Sequence, residues 1–128
     1  IKPFLIIWNP ICYRTFPYSG ILIPRSAIIG PGLRIYHFSG IVIHGKTVIG
    51  NNCTLRPGVV IGERYSDGEA PILGDNVNIG VGAKILGKIK IGNNTVIGAN
   101  AVVLQDVPDN FCAVGIPAHV YQKKTNLT

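Results

Sequence analysis

The chain has 128 residues, of which 47% are hydrophobic and only 14% are charged. One domain with an ample core is therefore expected, and so few charges indicate that another copy of the chain covers part of the surface. The net charge of +6 fits either a solvated basic surface or a site for an anionic ligand such as a phosphorylated cofactor. No basic stripe with interleaved aromatic residues occurs, which argues against nucleic acid as a partner.

The N-terminal segment, residues 1–20, contains no repeat and is expected to form a short, partly helical cap. Its apolar run, residues 4–8, is too short to span a bilayer, so no stable membrane insertion is expected. The chain begins with Ile1 and contains no methionine, which suggests that the cap is truncated.

A repeat of six residues dominates the rest of the chain: an aliphatic residue recurs at every sixth position, often followed by glycine. This period fits neither a helix nor a flat alternating strand, and it is typical of a β-solenoid built from hexapeptides. Three short strands and three corners would make one coil of about eighteen residues. We therefore expect an all-β fold over residues 21–120. One interior ladder is expected to contain Ile43, Ile61, Ile79 and Ile97.

The repeat breaks twice, and both breaks are candidate functional sites because loops on a rigid scaffold often carry function. Two extra residues separate Ile35 from Ile43. In the second break the expected aliphatic position holds Asp67, whose burial in an apolar ladder would be costly. We therefore expect residues 64–71 to leave the coil as a loop.

Beyond the repeat, the turn at residues 107–110 closes the regular part of the chain. Residues 111–120 are expected to form a last strand or cap, and residues 121–128 a polar tail. The predicted domain organisation is thus a cap (1–20), a β-helix (21–120) and a tail (121–128).

Three histidines are the candidate reactive groups. His37 lies inside the first break, where a neutral imidazole either acts as a general base on a hydroxyl or thiol or simply fills the bulge. His44 directly follows an inward isoleucine and is either a corner residue or a second histidine of the site. His119 is expected at the surface. Zinc held by three histidines is the competing chemistry, but their spacing does not favour it, and no metal is expected.

Three cysteines, Cys12, Cys53 and Cys112, do not indicate a disulfide framework. A reducing cytoplasm is therefore the expected location. Cys53 occupies a slot of the repeat that small residues usually fill, so we interpret it as a packed core thiol rather than a reactive one.

Three longer motifs resemble the hexapeptide-repeat acyltransferases. Residues 36–42 (Tyr-His-Phe-Ser-Gly-Ile-Val) resemble the segment Asp-His-x-x-Gly-Ile-Val that carries the catalytic histidine of that family. Residues 80–87 resemble the segment that lines its coenzyme A groove, and residues 115–118 resemble its closing Gly-x-Pro-Ala motif. The resemblance covers roughly residues 21–120 and lies in the serine acetyltransferase branch, closest to O-acetyltransferases of polysaccharide clusters. It implies a single-stranded left-handed parallel β-helix, and the hand comes from the resemblance alone.

The resemblance also implies an activity, an acetyl-CoA-dependent O-acetyltransferase. His37 would be the general base that takes the proton of the acceptor hydroxyl, and a backbone N–H would stabilise the oxyanion. Lys123 or Lys124 would be further contacts for the coenzyme's phosphates. A homotrimer with sites in the grooves between adjacent subunits is expected. The residues implied at the coenzyme site are Gly82, Ala83, Lys84, Ala99, Gly115 and Pro117.

Two departures from the serine acetyltransferase pattern bear on the acceptor. Leu22 stands where those enzymes carry an aspartate that supports the histidine, and Ala70 stands where they carry a second histidine before a proline. A site for free serine must pair both an ammonium and a carboxylate, whereas a sugar hydroxyl needs neither. The expected acceptor is therefore a saccharide or a polysaccharide precursor.

Two alternatives remain open. Glu63, Asp67 or Glu69 from a neighbouring subunit would supply a carboxylate to the site, which keeps serine O-acetyltransferase of cysteine biosynthesis as an alternative. A non-catalytic solenoid that serves as a scaffold is an alternative of another class. His37 and the Gly-x-Pro-Ala motif argue against the scaffold.

Overall fold

The computed structural model describes residues 20–124, and every regular element in that range is a β-strand. The cap expected at residues 1–20 lies outside the described residues except for Gly20. Most strands have only two or three residues because the chain turns a corner after each of them. The strands are β1 (Ile21–Leu22), β2 (Ile28–Ile29), β3 (Arg34–Ile35), β4 (Ile41–Ile43), β5 (Val48–Ile49), β6 (Thr54–Leu55), β7 (Val60–Gly62), β8 (Ile72–Leu73), β9 (Asn78–Ile79), β10 (Lys84–Leu86), β11 (Lys90–Ile91), β12 (Val96–Ile97), β13 (Val102–Val103), β14 (Phe111–Gly115) and β15 (Ala118–Gln122).

The strands form three sheets along the sides of a coil. Sheet A contains β1, β4, β7, β10 and β13, sheet B contains β2, β5, β8 and β11, and sheet C contains β3, β6, β9, β12, β14 and β15. From β1 to β13 every third strand returns to the same sheet, and the pairing is parallel except between β14 and β15. The predicted parallel β-solenoid is therefore confirmed. We name its three corners by the sheets that they join: A–B, B–C and C–A.

The interior consists of aliphatic ladders, one behind each sheet, because alternate residues of a strand point to opposite faces. Nearly all of these side chains are fully buried. The ladder behind sheet A contains Ile43, Ile61, Ile85 and Val103. The ladder behind sheet B contains Ile29, Ile49, Leu73 and Ile91. The ladder behind sheet C contains Ile35, Leu55, Ile79 and Ile97.

The ladder predicted from the sequence is wrong in its second half. Ile43 and Ile61 stack behind sheet A as expected. Ile79 and Ile97 instead stack behind sheet C. The cause is the second break: Ile43 pairs with Ile61 after 18 residues, but Ile61 pairs with Ile85 after 24. The loop uses six residues of the repeat but adds no strand to the coil. Every later residue therefore lies one sheet earlier in the coil than the repeat count predicts.

Both breaks in the repeat lie at corners that adjoin sheet A. Residues 36–40 form an exposed bulge at the C–A corner between β3 and β4, and residues 63–70 form a loop at the A–B corner between β7 and β8. The loop ends one residue earlier than predicted, at residue 70, because Pro71 is buried. Pro71 belongs to the coil, in the slot that Thr47 and Ile89 fill in the neighbouring coils.

The C-terminal end of the described chain is a hairpin. β14 continues sheet C beside β12, and β15 pairs antiparallel with β14. The peptide bond between Ile116 and Pro117 in its turn is cis. β15 extends to Gln122, two residues past the predicted boundary at residue 120. No helix within residues 20–124 is long and apolar enough to cross a membrane.

Candidate active site

His37 lies in the exposed bulge at the C–A corner. In the next coil the same corner needs only Arg56 and Pro57 between the strand end and Gly58, whereas the bulge has four residues before Gly40. The two additional residues carry the histidine away from the coil, and its φ of 65° lies in the left-handed region. That conformation is uncommon for a residue other than glycine, and such residues cluster at functional sites.

The bulge borders an open depression of about 480 Å³. Its lining residues come from three successive coils: Tyr36 and His37 from the bulge, Arg56 and Pro57 from the next corner, and Val81 from the corner after that. A histidine beside an open depression is placed to exchange a proton with a small molecule bound there. The first break thus brings His37 to an open depression, and its reactivity stays a prediction.

Arg56 forms a fixed cationic wall of this depression. Its Nη1 donates hydrogen bonds to Asn78 Oδ1 and, at 3.0 Å, to the carbonyl oxygen of Ile79. Its guanidinium carbon lies 5.6 Å from the centroid of the Tyr36 ring, within the range of a cation–π contact. The arginine thus bridges two coils and braces the residue that precedes His37.

The C–A corners stack into a continuous edge that leads from the bulge toward the C-terminal hairpin. The N–H of Gly82 donates to the carbonyl of Pro57 at 2.8 Å, and the N–H of Asn100 donates to the carbonyl of Val81 at 2.8 Å. Two of the predicted coenzyme residues, Gly82 and Ala99, belong to these corners. The structure therefore places them on the same edge as the bulge, one and two corners beyond the depression's central arginine.

Of the next two predicted coenzyme residues, Ala83 faces away from this edge, whereas the side chain of Lys84 returns to it. Ala83 is fully buried, its N–H donates to Gly80 at 3.3 Å, and its carbonyl accepts the N–H of Val60 at 3.0 Å. The ammonium of Lys84 donates to the carbonyl of Gly58. Ala83 therefore packs the interior of the coil, and Lys84 reaches from sheet A back to a C–A corner.

The last two predicted coenzyme residues lie at the far end of the same edge. Gly98 opens a C–A corner, and a Cβ added to it would lie 2.7 Å from Cγ1 of Val114 in the hairpin. The hairpin turn beyond Val114 carries Gly115 and Pro117, both exposed. The edge thus has the histidine bulge at one end and the hairpin turn at the other.

The other two histidines lie apart from His37. His44 occupies an A–B corner, across sheet A from the bulge, and its Nδ1 accepts the N–H of Lys46 at 3.2 Å. His119 is exposed on β15, with its ring centroid 6.5 Å from that of Tyr121. Within residues 20–124 no group of three or more His, Cys, Asp and Glu side chains is arranged to hold a metal ion.

Of the two lysines predicted in the tail, Lys123 also lies elsewhere, and Lys124 is exposed. Lys123 Nζ donates to the carbonyl of Asn94 at 3.4 Å, which places it at the B–C corner. A shallow polar depression there is lined by asparagine side chains together with Arg34 and Lys123. The C–A edge and this lysine are therefore on different corners of the coil in one chain.

All six acidic residues lie on the A–B and B–C corners, so the C–A edge carries cations without acids. Three of them are in the loop at residues 63–70, where Glu63 Oε2 accepts the N–H of Gly68 at 2.7 Å and Asp67 Oδ1 accepts the N–H of Glu69 at 3.0 Å. These bonds order the loop, and Asp67 is exposed, as its charge requires. The loop lies across sheet A from the bulge of the same chain.

Cys53 is a packed thiol, as the sequence predicts. It is fully buried, and its Sγ lies 3.2 Å from the carbonyl oxygen of Gly74. Burial raises the pKa of the Cys53 thiol above its ordinary value, because the interior disfavours the thiolate. Cys112 is also a free thiol and is half-buried.

Sequence reasoning found His37 but missed Arg56 as a residue of the depression. The signal was present, because glycine follows most of the inward aliphatic residues, whereas Tyr36 follows Ile35 and Arg56 follows Leu55. A large side chain in a position normally held by glycine marks a corner that exposes a side chain as well as turning the chain. Only the stacking of the coils brings these two side chains together.

The comparisons with known proteins agree with this architecture. A family model described as bacterial transferase hexapeptide (six repeats) matches residues 70–105. The serine acetyltransferase of Staphylococcus aureus (strain N315) is 45% identical over 108 residues, which cover 83% of this chain and 51% of that protein. The chain thus spans about half the length of the curated relatives it matches.

Two solved structures with bound small molecules are also similar. The soybean serine acetyltransferase complexed with serine is 37% identical with a TM-score of 0.82, covering 91% of this chain and 52% of that one. The Brucella abortus strain S19 serine acetyltransferase in complex with coenzyme A is 32% identical with a TM-score of 0.83, covering 88% and 46%. The predicted left-handed parallel β-helix is therefore confirmed. Residues 70–105 thus carry the repeat of the hexapeptide transferase family, and the chain is similar, over its β-helix, to serine acetyltransferases.

Proposed function

We propose that this chain carries the catalytic β-helix of an acetyl-CoA-dependent O-acetyltransferase with His37 as its general base. The observation that carries the proposal is the position of His37 in an exposed bulge, beside a depression at one end of the acid-free C–A edge. The similarity to serine acetyltransferases, one of them in complex with coenzyme A, supports the same reaction class.

The reaction would proceed by direct transfer. The acceptor hydroxyl would bind in the depression, and the imidazole of His37 would take its proton as the oxygen attacks the thioester carbonyl. The tetrahedral oxyanion would be stabilised by a backbone N–H, and its collapse would release coenzyme A as the thiol after it regains the proton from the imidazolium. General base catalysis of this kind typically contributes about 10²- to 10⁴-fold in rate.

The coenzyme would lie along the C–A edge. Gly82, Ala99, Gly115 and Pro117 are the predicted contacts on this edge, where small residues let a long flexible ligand approach the backbone. The ammonium of Lys84, the other predicted contact, reaches the edge at the carbonyl of Gly58. Ala83 would support the edge by packing beneath it. Because the edge carries no acidic residue, it suits a ligand with several phosphates.

L-Serine is our first candidate for the acceptor, because the similar proteins are named serine acetyltransferases and one of their structures is complexed with serine. This reverses the order expected from the sequence, in which a saccharide came first. A saccharide hydroxyl is the second candidate. It is favoured by Leu22 and Ala70, which are both apolar and, respectively, half-buried and buried, so neither pairs with an amino acid's charges.

We also propose that the chain works as a homotrimer in the cytoplasm. The outer sides of sheets A and B are apolar except for Lys84 on sheet A and Lys90 on sheet B, whereas sheet C presents a mostly polar outer side. Two different apolar faces on one chain suit a heterologous contact that closes into a ring. Such a ring would bring the acidic loop of one copy toward its neighbour. The cytoplasm is in keeping with the free thiols of Cys53 and Cys112. The outward apolar residues are Leu22, Val42, Val60 and Val102 on sheet A and Ile28, Val48 and Ile72 on sheet B.

The test is an assay of coenzyme A thiol release from acetyl-CoA with a panel of acceptors that contains L-serine and several neutral and acidic sugars. A reaction without acceptor gives the hydrolysis background. Release that rises with L-serine, together with O-acetylserine detected by mass spectrometry, supports the first candidate. Release with a sugar alone would select the second candidate. Background release with every acceptor would contradict the proposed function.

A further inference from the structure

The side chain of Arg56 is fixed in place but keeps donors for a ligand. Its Nη1 makes two hydrogen bonds, to Asn78 Oδ1 and to the carbonyl of Ile79, which uses both of its hydrogens. A guanidinium has five N–H donors, so the Nε hydrogen and both Nη2 hydrogens remain. Within residues 20–124 no hydrogen bond of the protein uses them. The stack on Tyr36 leaves the planar group little freedom to turn.

Within one chain, the surroundings of Arg56 leave its charge uncompensated. The depression is lined by Tyr36, His37, Arg56, Pro57 and Val81, and none of these is acidic. The acidic residues of the chain lie on the other two edges. A half-buried, pre-oriented guanidinium without an acidic partner is a recognition element for a carboxylate or a phosphate. Its ligand must enter the same depression that His37 borders.

We propose that Arg56 is the specificity-determining residue for the acceptor and binds the acceptor's carboxylate while its hydroxyl faces His37. This inference rests on the proposed function. L-Serine has a carboxylate close to its hydroxyl, and among sugars a uronic acid has one. The acceptor class would thus be hydroxyl compounds that carry a carboxylate.

The alternative source of the anion is the coenzyme, whose phosphates have related chemistry. The position of Arg56 argues against the coenzyme as the source of the anion. The thioester must reach His37, and the phosphates are separated from the thioester by the whole pantetheine arm. Arg56 lies in the coil next to the bulge, and successive coils are about 4.8 Å apart. A cation that close to the base contacts the acceptor end of the site.

The test compares wild type with Arg56→Gln, which removes the charge, and Arg56→Lys, which keeps the charge without the planar fork. Arg34→Gln is the matched control, because Arg34 is an arginine of the preceding coil that lies on sheet C, outside the depression, with its Nη2 on the carbonyl of Asn52 at 3.5 Å. Dissociation constants are measured by calorimetry for two pairs of ligands: L-serine with L-serinamide, and D-glucuronate with D-glucose. Coenzyme A is measured separately, and melting temperatures report folding.

We expect wild type to bind at least one carboxylate ligand more tightly than its neutral partner, by roughly 10- to 100-fold. Arg56→Gln should lose this preference, Arg56→Lys should keep part of it, and Arg34→Gln should keep all of it. Coenzyme A affinity should stay within about twofold in every variant.

Three results would overturn the proposal: no carboxylate preference in wild type, the same preference in Arg56→Gln, or weaker coenzyme A binding in Arg56→Gln with carboxylate binding unchanged. Acetyl transfer, measured in parallel, separates this inference from the proposed function. A carboxylate preference that depends on Arg56 in a chain that transfers no acetyl group would sustain the site and refute the reaction. Acetyl transfer by a chain whose carboxylate preference does not depend on Arg56 would sustain the reaction and refute the site.

Discussion

A Cβ added to Gly80 would lie 2.5 Å from the backbone nitrogen of Ala99 in the following coil. The C–A corners at Gly80 and Ala99 are therefore stacked backbone on backbone, with no room for a side chain between them. This close approach keeps the edge flat between these two corners. The proposed coenzyme site depends on it, because Ala99 is one of the residues predicted to contact the coenzyme.

Replacing Gly80 should be far more damaging than replacing Gly62. Gly80→Ala places a methyl group against backbone atoms that cannot yield, so the free energy of unfolding should fall by roughly 1–3 kcal/mol. Gly62→Ala is the matched control, because its Cβ would meet only the Cβ of His44 at 3.9 Å. Its effect should stay within about 0.5 kcal/mol. Urea denaturation followed by circular dichroism measures both, and equal losses would contradict the stacking.

Most of the fold follows from the six-residue repeat, because a narrow interior accepts aliphatic residues at fixed spacing and little else. The sequence also locates both breaks, and Asp67 correctly marks the second as a loop. The pairing beyond the loop could not be counted from the sequence. The length of a loop does not show how many sides of the coil it replaces. Counting by six along the sequence therefore places Ile79 behind the wrong sheet.

The candidate site was only partly predictable, for a similar reason. His37 stands out because the repeat breaks around it. Arg56 and Tyr36 are 20 positions apart, and their contact exists only because consecutive coils stack. Local sequence likewise could not show that Ala83 points into the coil while Gly82, one position earlier, stays on the edge.

The two described cysteines should differ sharply in reactivity. Cys53 is fully buried and burial raises its pKa, so its thiol should stay protonated and unlabelled by iodoacetamide at pH 8. Half-buried Cys112 is the internal control and should be labelled. Peptide mass spectrometry after timed labelling distinguishes them. Labelling of Cys53 as fast as that of Cys112 in the folded protein would show that the interior at this slot is open.

The same shift has a consequence for stability. The unfolded Cys53 thiol ionises at a lower pH than the folded one, so the unfolded state loses its proton first as the pH rises. The contribution of this group to stability is therefore complete below the ordinary thiol pKa and declines as the pH climbs through the folded value. As the pH rises from the ordinary thiol pKa through the folded pKa of Cys53, the unfolding free energy should fall less in Cys53→Ala than in wild type.

The proposed trimer predicts which outer faces tolerate a charge. Light scattering should give about three times the 13.7 kDa of one chain. Val42→Lys on sheet A and Ile72→Lys on sheet B should each lower this mass, because an unpaired charge would be buried in the contact. Val96→Lys on sheet C is the control and should leave the mass unchanged. Loss of the trimer in the control alone would place the contact on sheet C.

The most direct test of the account is the turnover of His37→Asn. Asparagine tolerates the left-handed conformation of this position, so the bulge should keep its shape while the base is lost. With the acceptor that wild type uses, kcat should fall by about 10²- to 10⁴-fold, with melting temperature and coenzyme A affinity unchanged. His119→Asn, an exposed strand histidine, should retain full activity. Turnover by His37→Asn equal to that of wild type would contradict the proposed role of His37.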